Sequence, residues 1–172
     1  MKAAVLHAKG DIRYEEYPTP QVQAGEVLIK VRATGICGSD IPRVLGDAAH
    51  KYPIVLGHEF SGEVVETGAG VTAVKVGDRA TGAPLIPCFA CEDCQRGNYS
   101  QCKKYSFVGS RPQGSFAQFL VLPEKHVVRF DPTVSFEQAA FFEPSTVGLH
   151  GLKCAGFAGG EDVAILGGGT IG

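Results

Sequence analysis

No run of apolar residues in the 172-residue chain approaches the ~18–20 needed to cross a bilayer, so no membrane-spanning helix is expected. The start, Met1-Lys2-Ala3-Ala4-Val5-Leu6-His7, is too short and too soon interrupted by polar residues for a secretory leader. Without an export signal the expected location is the cytoplasm, and a disulfide framework becomes a poor reading of the cysteines. Neither sign of charge dominates: 16 Lys and Arg stand against 18 Asp and Glu, a net charge of −2. That balance, with no basic stripe, argues against a nucleic-acid partner. Internal repeats and low-complexity stretches are also missing. What is there suffices for a core, since 44% of residues are hydrophobic and 20% charged, which excludes disorder. The length fits one domain with room for a piece of a second.

Four of the six cysteines, Cys88, Cys91, Cys94 and Cys102, follow a C-x2-C-x2-C-x7-C spacing. Four thiolates close together satisfy a tetrahedral zinc and leave no open position, so this lobe is expected to be structural. The residues between them supply too little apolar material to fold without an ion. Redox chemistry or an iron–sulfur cluster is the alternative, although three evenly spaced cysteines and a fourth exceed what a redox CxxC needs.

Cys37 follows the alternating stretch Val27–Arg32, and Ser39 and Asp40 just beyond it are helix N-cap types. The thiol is therefore placed where a strand hands over to a helix N-terminus, which favours the thiolate. His58 lies in Leu56-Gly57-His58-Glu59-Phe60, and Glu143 in the apolar stretch Ala139-Ala140-Phe141-Phe142-Glu143-Pro144. A carboxylate there is costly to bury unless paired or ligating. Cys, His and Glu make the mixed set of three that a catalytic zinc uses, with one position open. Singly, each has a plainer reading: a buried thiol, a core histidine, an ion-pair partner.

The first half is strand-like. Lys2–His7 and Ile12–Tyr17 predict a hairpin around Lys9-Gly10-Asp11, and Val27–Arg32, Glu59–Thr67, Arg79–Gly82, Ser115–Pro123 and His126–Phe130 predict further strands. Many short strands with 23 glycines and 10 prolines predict a mainly β, barrel-like domain with a few helices. Ser135-Phe136-Glu137-Gln138 reads as a capping box opening a helix, which Pro144 breaks or kinks before a second helix from about Ser145 to Cys154. Glu161–Leu166 reads as a short apolar strand running into Gly167-Gly168-Gly169-Thr170-Ile171-Gly172. A G-x-G-x-x-G after a strand opens a dinucleotide-binding unit, with Gly167, Gly169 and Gly172 letting backbone approach a pyrophosphate.

Gly35-Ile36-Cys37-Gly38-Ser39-Asp40, Gly57-His58-Glu59, Val76-Gly77-Asp78-Arg79, the four-cysteine lobe and the final G-x-G-x-x-G, in this order, resemble the zinc-containing medium-chain dehydrogenases. The resemblance runs over essentially the whole chain. It implies a GroES-like barrel catalytic domain over residues 1–155, with the structural lobe at 88–102, and the start of a Rossmann NAD-binding domain at 156–172. The chain is then expected to be an N-terminal portion of such an enzyme, inactive by itself. The stretches Cys37–Arg43, Ala49–Ile54, Pro84–Phe89 and Phe107–Arg111 resemble the polyol-phosphate branch. Pro42 stands where many members carry a relay histidine, so that relay is not expected. Glu143-Pro144 stands where many alcohol dehydrogenases place a cysteine ligand, as in the polyol and threonine dehydrogenases.

The resemblance implies two zinc ions per chain. One is structural, on Cys88, Cys91, Cys94 and Cys102; the other is catalytic, on Cys37, His58 and Glu143, with Glu59 as an additional or exchanging ligand. It implies NAD-dependent oxidation of a secondary hydroxyl of a polyol phosphate, galactitol 1-phosphate to tagatose 6-phosphate, by a homo-oligomer, dimer or tetramer. Ser39 is the candidate for passing the hydroxyl proton outward, with helix capping as its plainer role. Arg43, Lys51 and Arg111 are candidates for the phosphate, or simply surface charges. Cys154 matches no ligand position and reads as a buried small hydrophobe. The alternatives are a sorbitol- or threonine-type dehydrogenase of the same family, or a zinc-binding module without turnover.

Overall fold

Alternating side chains and a glycine turn build the first hairpin, β1 (Lys2–Ala8) and β2 (Asp11–Glu16), antiparallel as expected and joined through Gly10 at φ +76°. The computed structural model describes all 172 residues. β3 (Glu26–Gly35), β5 (Glu59–Thr67) and β6 (Arg79–Gly82) follow the predicted stretches closely. β9 (Phe119–Pro123) and β10 (Val127–Arg129) are shorter than their predicted stretches. Three two-residue strands were not foreseen: β4 (Ile54–Val55), β7 (Leu85–Ile86) and β8 (Ser106–Phe107). Four short helices complete the chain: α1 (Asp40–Leu45), α2 (Glu92–Gln95), α3 (Phe136–Ala140) and α4 (Phe142–Cys154). None is long and apolar enough to cross a membrane.

The mainly β character with a few helices is as expected, but the barrel is not. The strands form three open sheets, in the orders β2-β1-β4, β10-β6-β5-β3-β9 and β7-β8. Closure requires the two edge strands of one sheet to exchange hydrogen bonds with a consistent tilt and stagger. Here β10 and β9 end the central sheet without pairing to each other, and β10 has only 3 residues with which to do so. The predicted strand at Glu161–Leu166 is also not formed. A strand exists only with a neighbour to take its hydrogen bonds, and residues 151–172 are exposed with no strand beside them.

The main core lies on the central sheet, where Val27, Ile29, Phe60, Val64, Val74, Ala80, Val108, Leu120 and Leu122 pack together. β5 is buried on both faces over Glu59–Gly62 because α3 packs across it from the other side. α3 starts at the predicted capping box: Ser135 Oγ accepts from the Gln138 amide, and the Gln138 side chain accepts from the Ser135 amide. The break between the two helices falls at Phe141, ahead of Pro144. Pro144 sits in the first turn of α4, where its missing N–H has no helical partner to lose.

Candidate metal centres and the adjoining cleft

The four-cysteine lobe is a turn at Cys88–Cys91, the single turn of α2 and a 3-10 turn at Tyr99–Gln101 ending on Cys102. All four thiols are free, with Sγ–Sγ distances of 3.5 Å for Cys91–Cys94 and 3.9 Å for both Cys88–Cys94 and Cys91–Cys102. Four sulfurs each ~2.3 Å from a central zinc lie ~3.8 Å apart, whereas a disulfide would bring two to ~2.05 Å. The donor set therefore fits a tetrahedral ion. The amides of Ala90 and Cys91 and the Cys102 thiol bring Cys88 down to about 6, while burial and the neighbouring thiols push Cys94 up to about 12. Phe89 holds the tight turn in the left-handed region, at φ 55°.

The second group is assembled by two neighbouring strands. Gly35 at the end of β3 is paired with Glu59 at the start of β5, and Cys37 and His58 flank that pair. Ligand atoms of Cys37, His58 and Glu59 all lie within 4.8 Å of one another. Gly35 leaves room for this placement of the carboxylate, because a Cβ there would clash with Glu59 Oε2 and crowd Glu59 Cβ. His58 Nδ1 is buried without a hydrogen-bond partner, and burial pushes the imidazole below its ordinary value, toward the neutral form that binds metals. A thiol, an imidazole and a carboxylate fit a borderline divalent ion such as zinc.

Glu143 is not within that group. It projects from the first turn of α4 into a cleft of about 560 Å³ that it shares with Leu85, Phe107, Val128, Phe142 and Thr146. Burial, and then the charge of Glu59, raise its carboxyl above the ordinary range. The cleft adjoins the metal group through Phe107, whose ring meets His58 edge-on at 5.3 Å.

Asp40 belongs to the site, although the sequence offered it only as a capping type. Its side chain is 2% exposed, with Oδ2 accepting from the Cys37 amide at 3.1 Å and Oδ1 lying 3.8 Å from His58 Nδ1. The signal available was the Cys37-Gly38-Ser39-Asp40 run, in which the carboxylate turns back on the cysteine.

Ser39 stands at the N-cap position of α1 and is exposed, but its side chain caps nothing and accepts from Arg43 Nη1 at 2.9 Å. None of the three candidate phosphate cations lines the cleft. Arg43 is turned onto Ser39 and Asp40; Arg111 stacks 4.5 Å over Tyr105 and donates to its carbonyl; Lys51 is exposed. Cys154 is exposed rather than buried, 3.4 Å from His150 Nε2 on the solvent side of α4. Gly167, Gly169 and Gly172 line an open pocket together with Val147, Gly148 and Leu152 of α4.

Comparison with known proteins agrees with this geometry. Over its full length the chain is 44% identical to galactitol 1-phosphate 5-dehydrogenase of Escherichia coli K12, of which it spans 50%. It is 38% identical to sorbitol dehydrogenase of Bacillus subtilis, again spanning 50% of that protein. The crystal structure of galactitol-1-phosphate dehydrogenase from Escherichia coli superposes on 99% of the chain with a TM-score of 0.95, the match covering 50% of that structure. The chain thus spans about half the length of these relatives. Residues 23–132 match the family model described as the alcohol dehydrogenase GroES-like domain, and the chain belongs to that family.

Proposed function

We propose that these residues are the catalytic half of a zinc- and NAD-dependent dehydrogenase that oxidises a secondary hydroxyl of a polyol phosphate, galactitol 1-phosphate to tagatose 6-phosphate. The observation that carries this reading is the convergence of Cys37, His58 and Glu59 beside the cleft that holds Glu143. The relatives that share the whole chain act, by name, on galactitol 1-phosphate and on sorbitol. Residues 1–155 form the catalytic domain in this proposal, and residues 156–172 begin the NAD-binding domain of a homo-oligomeric enzyme.

Zinc held by Cys37 and His58, with Glu59 and Glu143 as the available carboxylates, would polarise a substrate hydroxyl and lower its pKa. The apolar walls at Leu85, Phe107 and Phe142 would shield the reacting carbon, and bound NAD would supply the redox chemistry there. Ser39 Oγ, two residues beyond Cys37 and open to solvent, is the exit for the hydroxyl proton. Because Pro42 has no group that accepts a proton, this exit leads directly to water. Lys51 and Arg111, which stand outside the cleft lining, are the cations proposed for the phosphate. Cys88, Cys91, Cys94 and Cys102 hold the structural zinc.

Metal analysis and a coupled assay test the reading together. The purified chain should carry about two zinc ions, and its 172 residues alone should form no NADH. The product of the complete reading frame should reduce NAD with galactitol 1-phosphate in preference to sorbitol. NADH formation by the 172-residue chain, or preference for sorbitol, would count against the corresponding part.

A further inference from the structure

Arg43 was a candidate for the substrate phosphate, yet its surroundings direct it inward. Its side chain is only 16% exposed, and Nη1 donates to Ser39 Oγ at 2.9 Å and to the Ser39 carbonyl at 3.3 Å. The same nitrogen lies 3.4 Å from Asp40 Oδ1. Asp40 is a carboxylate 2% exposed, and Arg43 is the one permanent cation within ion-pair distance of it. Its two oxygens divide the work: Oδ1 lies between Arg43 and His58, and Oδ2 holds the amide of Cys37.

We propose that Arg43 is a positioning residue that keeps Asp40 seated between Cys37 and His58, and so holds those two side chains in the arrangement a divalent metal requires. The inference rests on the metal-site reading above. A buried carboxylate stripped of the one cation beside it loses what anchors it there and swings toward water. That movement frees the Cys37 amide and takes the negative charge away from His58 Nδ1, because both oxygens belong to that one carboxylate. The ligands themselves remain present, and only their mutual placement is lost. Groups behind metal ligands commonly alter affinity by about 10–100-fold when removed. Arg43 acts here through a single nitrogen rather than a two-pronged grip, so a lysine ammonium can take over much of its role. The four-cysteine lobe shares none of these residues and serves as an internal reference.

The test is cobalt titration of the metal-stripped chain, with zinc release to a chromogenic chelator as a second readout. Wild type should fill two sites, a four-thiolate site with intense sulfur-to-cobalt absorption and a mixed site with weaker visible bands. Arg43→Met should lower cobalt affinity at the mixed site by about 10–100-fold, shift or erase its bands and leave the four-thiolate absorption unchanged. Arg43→Lys should restore most of the lost affinity. If Arg43→Met does not fold, Arg43→Gln, which keeps a donor to Ser39 but no charge, should show the same selective loss.

Mixed-site affinity within about twofold of wild type in the uncharged variants would overturn the proposal. So would equal loss from both sites, which marks a merely structural role. A wild-type chain that binds metal only through its four cysteines would instead overturn the metal-site reading, and the role of Arg43 with it.

Discussion

Gly57 precedes His58 with φ +92°, and a Cβ at that position would lie 2.5 Å from Phe116 Cδ1 and 2.6 Å from Ser115 Oγ. Its carbonyl also accepts from the Ser115 amide at 3.0 Å, so the peptide entering His58 is fixed from both sides. Gly57→Ala should therefore cost on the order of 2–4 kcal/mol, combining a left-handed alanine with overpacking. Urea denaturation measures this, and an unchanged midpoint would contradict the role assigned to the turn. At this scale the site was legible wherever chemistry and spacing coincide. Cys88, Cys91, Cys94 and Cys102 announce themselves, and Cys37 and His58 stand at the ends of readable strands. Asp40 and Gly35 did not, because their contribution depends on which atoms the fold places opposite them. Where Glu59 and Glu143 stand relative to Cys37 and His58 depends on the same knowledge: Glu59 lies within that group and Glu143 faces the adjoining cleft.

Elements were readable where their signals are local. The hairpin around Gly10 and the capping box at Ser135 depend on residues within a few positions of each other, and both are formed. Glu124 has the opposite character. Its carboxylate accepts from the amides of Thr72 and Ala73, some 50 residues earlier, and no local pattern marks it. Those contacts, Ala73 first, hold its carboxyl below the ordinary value of 4.5. The folded-state value thus lies below the unfolded one, so the stabilisation is complete above the ordinary value and disappears as pH falls through the folded one. Glu124→Gln should be less stable than wild type at neutral pH, and the gap should close as pH falls well below 4.5. Paired denaturation curves across that range measure it. A gap independent of pH would mean that the carboxylate charge is not what ties the 72–73 turn to the end of β9.

The open sheets of the whole molecule were not legible, because short strands, glycines and prolines are common to barrels and open sheets alike. Closure is decided by whether particular edge strands meet, and composition carries no record of that. The same open architecture divides the molecule into parts held by different forces. The nine-residue core cluster draws on strands of the central sheet and on Val74 and Val108, but on no residue of the 88–102 lobe. Within residues 88–102 the buried residues are Cys94 and Cys102, and α2 is a single turn of 4 residues. A metal held by the four thiolates would then supply what burial does not, as in small domains that unfold without their ion. Chelator treatment should therefore abolish amide-exchange protection across residues 88–102 while β3 and β5 keep theirs. The β7–β8 pair, Leu85 with Phe107 and Ile86 with Ser106, closes the base of the lobe and should show intermediate loss. Uniform loss through the central sheet would show instead that the ion supports the whole molecule, and a lobe that stays protected without metal would show that its own packing suffices.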